Sequence, residues 1–334
     1  MKYGKAFRVE PGSKPRLADI DPEAPKAVKR EDAEEETKHN LKRLRKAQYL
    51  LYADASRSLL VVLQGMDAAG KDGAIRSIFS GVNPQGTSVT SFKQPSRTEL
   101  AHDFLWRVHE AAPEKGQIAI FNRSHYEDVL IVRVRGLVPE AVWSGRYAHI
   151  NDFEALLTAS GTQILKFYLH IDAEEQLKRF KDRLDDPDRH WKISESDYTE
   201  RVFMPDYVAA YEDVFAKTST KNAPWYIVPA NKKWYRNRVI SQIVADTMEG
   251  MGLKTPKPQV DIDEIRRHYH AEVAKSENAS GANLTFATHS PRTHHANVKF
   301  KSSTRINRFL VVLEIPTFAN AGAADGMQML ESNH

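Results

Sequence analysis

A chain of 334 residues, 41% hydrophobic and 28% charged, can bury a sizeable core as one large domain or two small ones. It has no cysteine, which excludes disulfides, thiolate catalysis and cysteine-ligated zinc, and no run approaches the roughly 18 apolar residues needed to cross a bilayer. A net charge of +4 suits a polyanionic partner without choosing between nucleic acid, membrane and phosphate chains.

The N-terminus, Met1-Lys2-Tyr3-Gly4-Lys5, lacks a signal-peptide core, so a cytoplasmic protein is expected. No membrane or nucleic-acid partner is expected, since RNA-binding aromatic signatures and zinc-finger spacings are missing. Residues 1–30 carry four prolines and few apolar positions, and read as an extended arm on the surface. A helix is expected over 31–55. Its acidic start (Glu31, Asp32, Glu34, Glu35, Glu36) and basic middle (Lys42, Arg43, Arg45, Lys46) complement the helix dipole. Leu41, Leu44, Leu51 and Tyr52 keep one apolar stripe.

The apolar run 59–63 ends at Gly65 after Gln64, Gly70-Lys71 follows five residues later, and a helix-like segment covers 74–79. Strand, glycine-rich loop and helix start come in the order a phosphate cradle requires. Gly65 and Gly70 let backbone N–H groups turn inward around an anion, and Lys71 adds a point charge at the phosphoryl group. Asp72 stands where Ser or Thr usually supplies a hydroxyl to magnesium, and Asp67 lies inside the loop. Two carboxylates would repel a phosphate chain without a cation between them. That points to Mg²⁺ or Mn²⁺ held partly by carboxylate, Asp67 foremost. The plainer reading, glycines serving a turn alone, leaves Lys71 and the flanking elements unexplained.

After a turn at 83–86, a second strand is expected over 87–92, with Lys93 just past it as a candidate phosphate contact. Ser96 and Glu99 form a capping box opening a helix with Leu100, Phe104, Leu105 and Val108 on its apolar side. A third strand covers 118–121, apolar throughout as parallel strands are. Beyond it comes Asn122-Arg123-Ser124-His125-Tyr126-Glu127-Asp128. Open parallel sheets bind ligands just past the carboxyl ends of strands. Arg123 is placed to grip phosphate oxygens, and Glu127 or Asp128 to complete a metal shell. A surface loop with a salt bridge is the alternative.

A helix over 140–159 carries Tyr147, Ile150, Phe153, Leu156 and Leu157, and a fourth strand covers 164–171. Asp172 caps the next helix, which holds Lys178, Arg179, Lys181 and Arg183, and Arg189, His190, Trp191 and Lys192 continue the basic theme. Such a segment suits a lid, about 178–217, closing over transferred phosphates; an exposed charged helix is the alternative. Pro205 is expected to break or kink a helix before 207–217. A fifth strand at 225–228 precedes an amphipathic helix with Val239, Ile240, Ile243, Val244 and Met248. Five strands alternating with helices make one doubly wound α/β domain, 31–255. A short charged segment, 256–276, follows, helical over 261–275. From Glu277 no period is sustained, so 277–334 is expected to be disordered or loosely packed, with His289, His294 and His295 in a random tail.

Several stretches closely resemble the polyphosphate kinase 2 family: Gly65-Met66-Asp67-Ala68-Ala69-Gly70-Lys71-Asp72-Gly73, Gly81-Val82-Asn83-Pro84-Gln85-Gly86, and Phe121 to Asp128. Trp191-Lys192, Ala223-Pro224-Trp225-Tyr226 and Pro229-Ala230-Asn231-Lys232 extend the match over roughly 30–255. The resemblance implies a P-loop kinase-like, five-stranded parallel fold similar to thymidylate kinase, with an inserted helical lid. It implies magnesium-dependent phosphoryl transfer between inorganic polyphosphate and AMP or ADP, the loop gripping polyphosphate where an ATP-dependent kinase holds ATP. By position, Asp67 looks like the metal ligand, Lys71 the phosphate clamp, Arg123 the transition-state cation and Asp128 a metal or water-positioning carboxylate. Arg179 and Arg183 look like lid groups on phosphates, and Glu127 resembles the subgroup acting on both AMP and ADP. Gly65, Ala68, Ala69, Gly70, Asp72, Gly73, Lys93, Asn122, Ser124, Tyr126 and Lys192 complete the expected substrate-contacting set. An ATP-dependent nucleoside monophosphate kinase shares this fold, but Asp72 and Asn122-Arg123-Ser124 count against it. A non-enzymatic polyanion or RNA binder would not need Asp67. Kinases of this kind often associate, so a dimer or tetramer is expected.

Overall fold

Five short segments form the strands of one parallel sheet in the computed structural model, which describes residues 3–285. They are β1 (Ser58–Gln64), β2 (Thr87–Ser91), β3 (Ile118–Asn122), β4 (Thr162–His170) and β5 (Trp225–Pro229), in the order β2-β3-β1-β4-β5. Every neighbouring pair is parallel, with Val62 level with Phe121 on one side and Lys166 on the other. Alternation divides the core. Leu59, Val61 and Leu63 face one cluster, Leu60 and Val62 the other.

The first cluster is closed by α1 (Arg30–Asp54) and by α2 (Lys71–Phe79), the helix that follows the glycine-rich loop. The second is closed by α3 (Arg146–Ala159). After β4 come α4 (Ala173–Leu184) and α5 (Met204–Thr218), and after β5 comes α6 (Lys233–Glu249), which packs along α1. The chain leaves β1 toward β2, whereas from β3 it crosses to β4. The loops after β1 and β3 therefore open side by side at the carboxyl edge, where such sheets take ligands.

Several sequence expectations are corrected. The N-terminal arm is anchored: Tyr3, Val9 and Leu17 are buried, and the arm bonds to β5 through Val9 N–H to Trp225 O (2.9 Å) and Ile227 N–H to Phe7 O (3.0 Å). The capping box at Ser96 and Glu99 forms, but its helix stops at Leu100, because Asp103 Oδ1 takes the Leu105 N–H at 2.9 Å and starts a new turn. The segment 140–159 splits into Glu140–Trp143 and α3 at Ser144-Gly145. The break expected at Pro205 is present: a 3-10 turn ends at Phe203 and α5 begins at Met204, with the proline in its first turn, where its missing N–H costs nothing. Most of α5 belongs to the core, with Ala210, Tyr211, Val214 and Phe215 buried.

The chain divides into two units, Met1–Gln259 and Val260–His334. In the second, α7 (Ile262–Thr285) continues past Glu277, where the sequence period fades; the rest of the expected tail, 286–334, lies outside the described residues. Among the described residues no helix is long and apolar enough to cross a membrane.

Candidate active site

The loop between β1 and α2 is held by its carbonyls. Lys71 Nζ donates to Gly65 O at 2.8 Å and to Met66 O at 3.4 Å. Gln176 Nε2 takes Asp67 O at 3.0 Å, and Arg179 Nη1 takes Ala68 O and Ala69 O, each at 2.9 Å. Arg236 Nη1 takes Gly70 O at 3.1 Å. Six successive carbonyls are thus engaged by side chains. A loop with its carbonyls drawn to one side presents N–H groups on the other, next to the N-terminus of α2, which is an anion-binding geometry. Gly65 is required: a Cβ there would lie 2.9 Å from Leu169 O.

Arg123 projects from the end of β3 with φ +60°, an unusual conformation for a residue with a Cβ. Its N–H donates to Leu63 O (3.1 Å), and its Nη2 lies 2.9 Å from Asp67 Oδ1. Asn122 Nδ2 donates to Asp72 Oδ1 at 2.7 Å, and Lys192 Nζ from the lid lies 4.0 Å from Asp72 Oδ2. Glu127 Oε1 accepts from Gln64 Nε2 at 3.2 Å. Burial pushes the Lys71 ammonium below its ordinary value, with Asp67 opposing the shift.

Two cavities meet at this point. The larger, about 1030 Å³, runs between the glycine-rich loop and the lid, and has twice as many lysines and arginines as aspartates in its wall. The smaller, about 240 Å³, has a mixed wall in which Met66, Leu130, Ile131 and Tyr207 accompany Glu127 and Arg201. Asp67 and Arg123 line both.

The large cleft gathers Asp67, Ala68, Gly70, Lys71, Asp72, Gly73, Lys93, Asn122, Arg123, Arg179, Arg183 and Lys192 from the expected set. Gly65 and Glu127 line the small pocket. Four expected residues line neither. Ala69 is buried beneath the loop. Ser124 is buried and its hydroxyl accepts the Tyr126 N–H at 3.2 Å. Tyr126 is buried, its hydroxyl donating to Glu154 Oε1 (2.8 Å) and accepting from Lys166 Nζ (2.8 Å). Asp128 is held by Arg146 Nη1 at 3.0 Å, with Arg107 Nη2 at 4.0 Å. Arg107 also donates to Lys93 O at 2.9 Å. These residues brace the turn behind Arg123.

Arg179 also differs from the expectation of a lid group reaching for phosphate. It is buried, ion-paired to Glu175 at 2.8 Å, and its Nη2 takes Ala230 O (2.6 Å) and Asn231 O (3.0 Å). It is a latch between β5 and the loop. Sequence reasoning missed Arg236 and Lys233 in the cleft and Gln176, Arg201 and Tyr207 around the small pocket. Arg236 has the spacing of an ordinary residue in an amphipathic helix, so no signal marked it.

The donor set bears on a metal ion. Among the described residues no group of three or more His, Asp or Glu side chains could hold one. Asp67 is the carboxylate common to both cavities, and its side chain is 39% exposed. One carboxylate plus phosphate oxygens and water is a set Mg²⁺ accepts, so the residues fit an ion that arrives with a phosphate ligand.

The model of the family described as Polyphosphate kinase 2 (PPK2) matches residues 27–256. An AMP/ADP-polyphosphate phosphotransferase from Meiothermus ruber is 48% identical over 263 residues, covering 78% of this chain and 98% of that protein. An ADP-polyphosphate phosphotransferase from Rhodopseudomonas palustris is 45% identical over 269 residues, covering 77% and 91%. The crystal structure of polyphosphate kinase 2 from Arthrobacter aurescens TC1 superposes with a TM-score of 0.78 at 41% identity, covering 81% of this chain and 97% of that one. Glycine-rich loop, Arg123 turn and lid all fall within the matched span, and the chain belongs to the polyphosphate kinase 2 family.

Proposed function

We propose that this chain transfers phosphoryl groups between inorganic polyphosphate and AMP or ADP. The observation that carries this reading is the position of Asp67 and Arg123 on the wall shared by a long basic cleft and a small mixed pocket. A linear polyanion matches the cleft. A nucleotide matches the pocket, with its base against Met66, Ile131 and Tyr207 and its phosphates toward Arg123. The names of the Meiothermus and Rhodopseudomonas relatives support the same pair of substrates.

Phosphoryl transfer passes through a loose transition state, so positioning and charge neutralisation supply most of the catalysis. The N–H groups of the loop and Lys71 orient the terminal phosphate of the donor. Arg123, able to release Asp67 toward a metal, neutralises charge on the group in transit. Asp67 is the residue placed to hold Mg²⁺ (or Mn²⁺), which when bound supplies charge neutralisation across phosphate oxygens. Asp128 serves to fix the Arg123 turn. Arg183 and Lys192 steady the chain from the lid. A cytoplasmic location, where AMP and ADP are found, and a dimer or tetramer complete the reading.

The test is direct. Purified protein is incubated with AMP or ADP, magnesium and polyphosphate, without ATP, and higher nucleotides are measured. Their formation is expected; turnover only with ATP as donor would favour an ATP-dependent nucleoside monophosphate kinase, and no turnover would leave a polyanion binder.

A further inference from the structure

Arg236, on α6, is 2% exposed and lies beneath the glycine-rich loop. Its Nη1 donates to Gly70 O at 3.1 Å, and its Nε and Nη2 donate to Asn237 Oδ1 at 3.1 and 2.8 Å. A Cβ at Gly70 would collide with Nη1, and one at Gly73 would sit 3.6 Å from Nη2. The guanidinium therefore fills the space under the loop where α2 begins. All these partners are neutral. Among the described residues no ion pair joins it to a carboxylate, and the charged groups acting on it are cations, Arg179 and Lys233. Burial, and then Arg179, push it down to about 10.

Arginine is almost never fully buried without a paired charge, because the desolvation of an isolated ion is not recovered. Arg179, its neighbour, follows the rule through Glu175. Arg236 does not, yet it lines the cleft assigned to phosphate. An unpaired buried cation is costly in the ligand-free protein and favourable once an anion sits above it.

We propose that Arg236 is a positioning residue whose counter-ion is the bound phosphate chain: it draws the Gly70 carbonyl back and places, under the loop, a positive charge balanced only when an anion fills the cradle. This rests on the phosphate reading of the cleft. Stability and binding then respond to this side chain with opposite signs, which an arginine serving structure alone would not produce.

The test uses the full chain, Arg236→Met and Arg236→Lys, with tripolyphosphate as probe, read by calorimetric titration and by thermal unfolding with and without ligand. The Met variant is expected to melt at or above the wild-type temperature without ligand. Its affinity for tripolyphosphate should fall at least about ten-fold, or 1.4 kcal/mol, with most of the ligand-induced rise in Tm lost. The Lys variant, keeping the charge, should bind within about three-fold of wild type, taking ten-fold as the scale of a lost charge. Should the Met variant not fold, Arg236→Gln replaces it in the same measurements. Wild-type affinity in the uncharged variant overturns the inference, as does a loss of both stability and affinity that Lys fails to restore. If wild type itself does not bind tripolyphosphate, the reading of the cleft falls with it; if wild type binds and the uncharged variant binds equally, only the role of Arg236 is lost.

Discussion

Replacing Glu154 by Ala should destabilise the protein far more than any surface ion pair would. Glu154 on α3 and Lys166 on β4 face each other across the core, Oε2 to Nζ at 2.6 Å, with side chains 2% and 0% exposed. Lys166 Nζ also donates to Tyr126 Oη and to Thr218 O, each at 2.8 Å, and Glu154 Oε1 accepts from Tyr126 Oη at 2.8 Å. Burial favours the neutral carboxyl, but Lys166 and His125 outweigh it and hold Glu154 below its ordinary range. Truncation leaves the ammonium buried with neutral partners. Breaking a buried pair from one side costs about 3–5 kcal/mol. At about 2–4 °C per kcal/mol for a domain of this size, Tm should fall by roughly 6–20 °C. The partner experiment is Glu154→Leu with Lys166→Met, which removes both charges and should recover most of the loss. Thermal unfolding followed by circular dichroism reads both. A single variant melting within about 2 °C of wild type, or a double variant as unstable as the single one, would refute the account of the pair.

Other predictions concern the site and its surroundings. Lys71→Ala and Arg123→Ala should each lower kcat at least about 100-fold, on the order of 3 kcal/mol of transition-state stabilisation, with circular dichroism unchanged; near-normal turnover would remove them from the machinery. Burial, partly offset by Arg146 and Arg107, pushes the Asp128 carboxyl from 3.8 up to about 6. Because the folded value exceeds the unfolded one, its contribution to stability is full below about pH 4 and is lost as pH rises through about 6, a change of about 3 kcal/mol. Urea unfolding of wild type and Asp128→Asn from pH 4 to 7 checks this, since the asparagine cannot ionise and the difference between the two should drift by most of that amount; a constant difference contradicts the assignment. Deleting 277–334, in the second unit, should leave melting temperature and activity nearly intact, and a large loss of either would show that the segment supports the catalytic domain.

The elements whose signal is local were legible in the sequence. Apolar runs at 59–63 and 118–121 became central strands, Asp172 caps α4 through Glu175 N–H at 2.7 Å, and the glycine-lysine spacing marked the cradle. Tertiary structure decided partnerships. Asp128, read as a metal ligand, is claimed by Arg146 and Arg107; Tyr126 turns into a buried network rather than toward substrate. Arg179 became a latch, and Arg236 emerged under the loop unannounced. Helix periods and turn residues reflect sterics and hydrogen bonds within a few neighbours, so a linear reading captures them. The partner of a charge is set by which strands lie side by side. Gly70 and Arg236 are 166 residues apart in the chain and 3.1 Å apart in space, and only the assembled sheet brings such groups together.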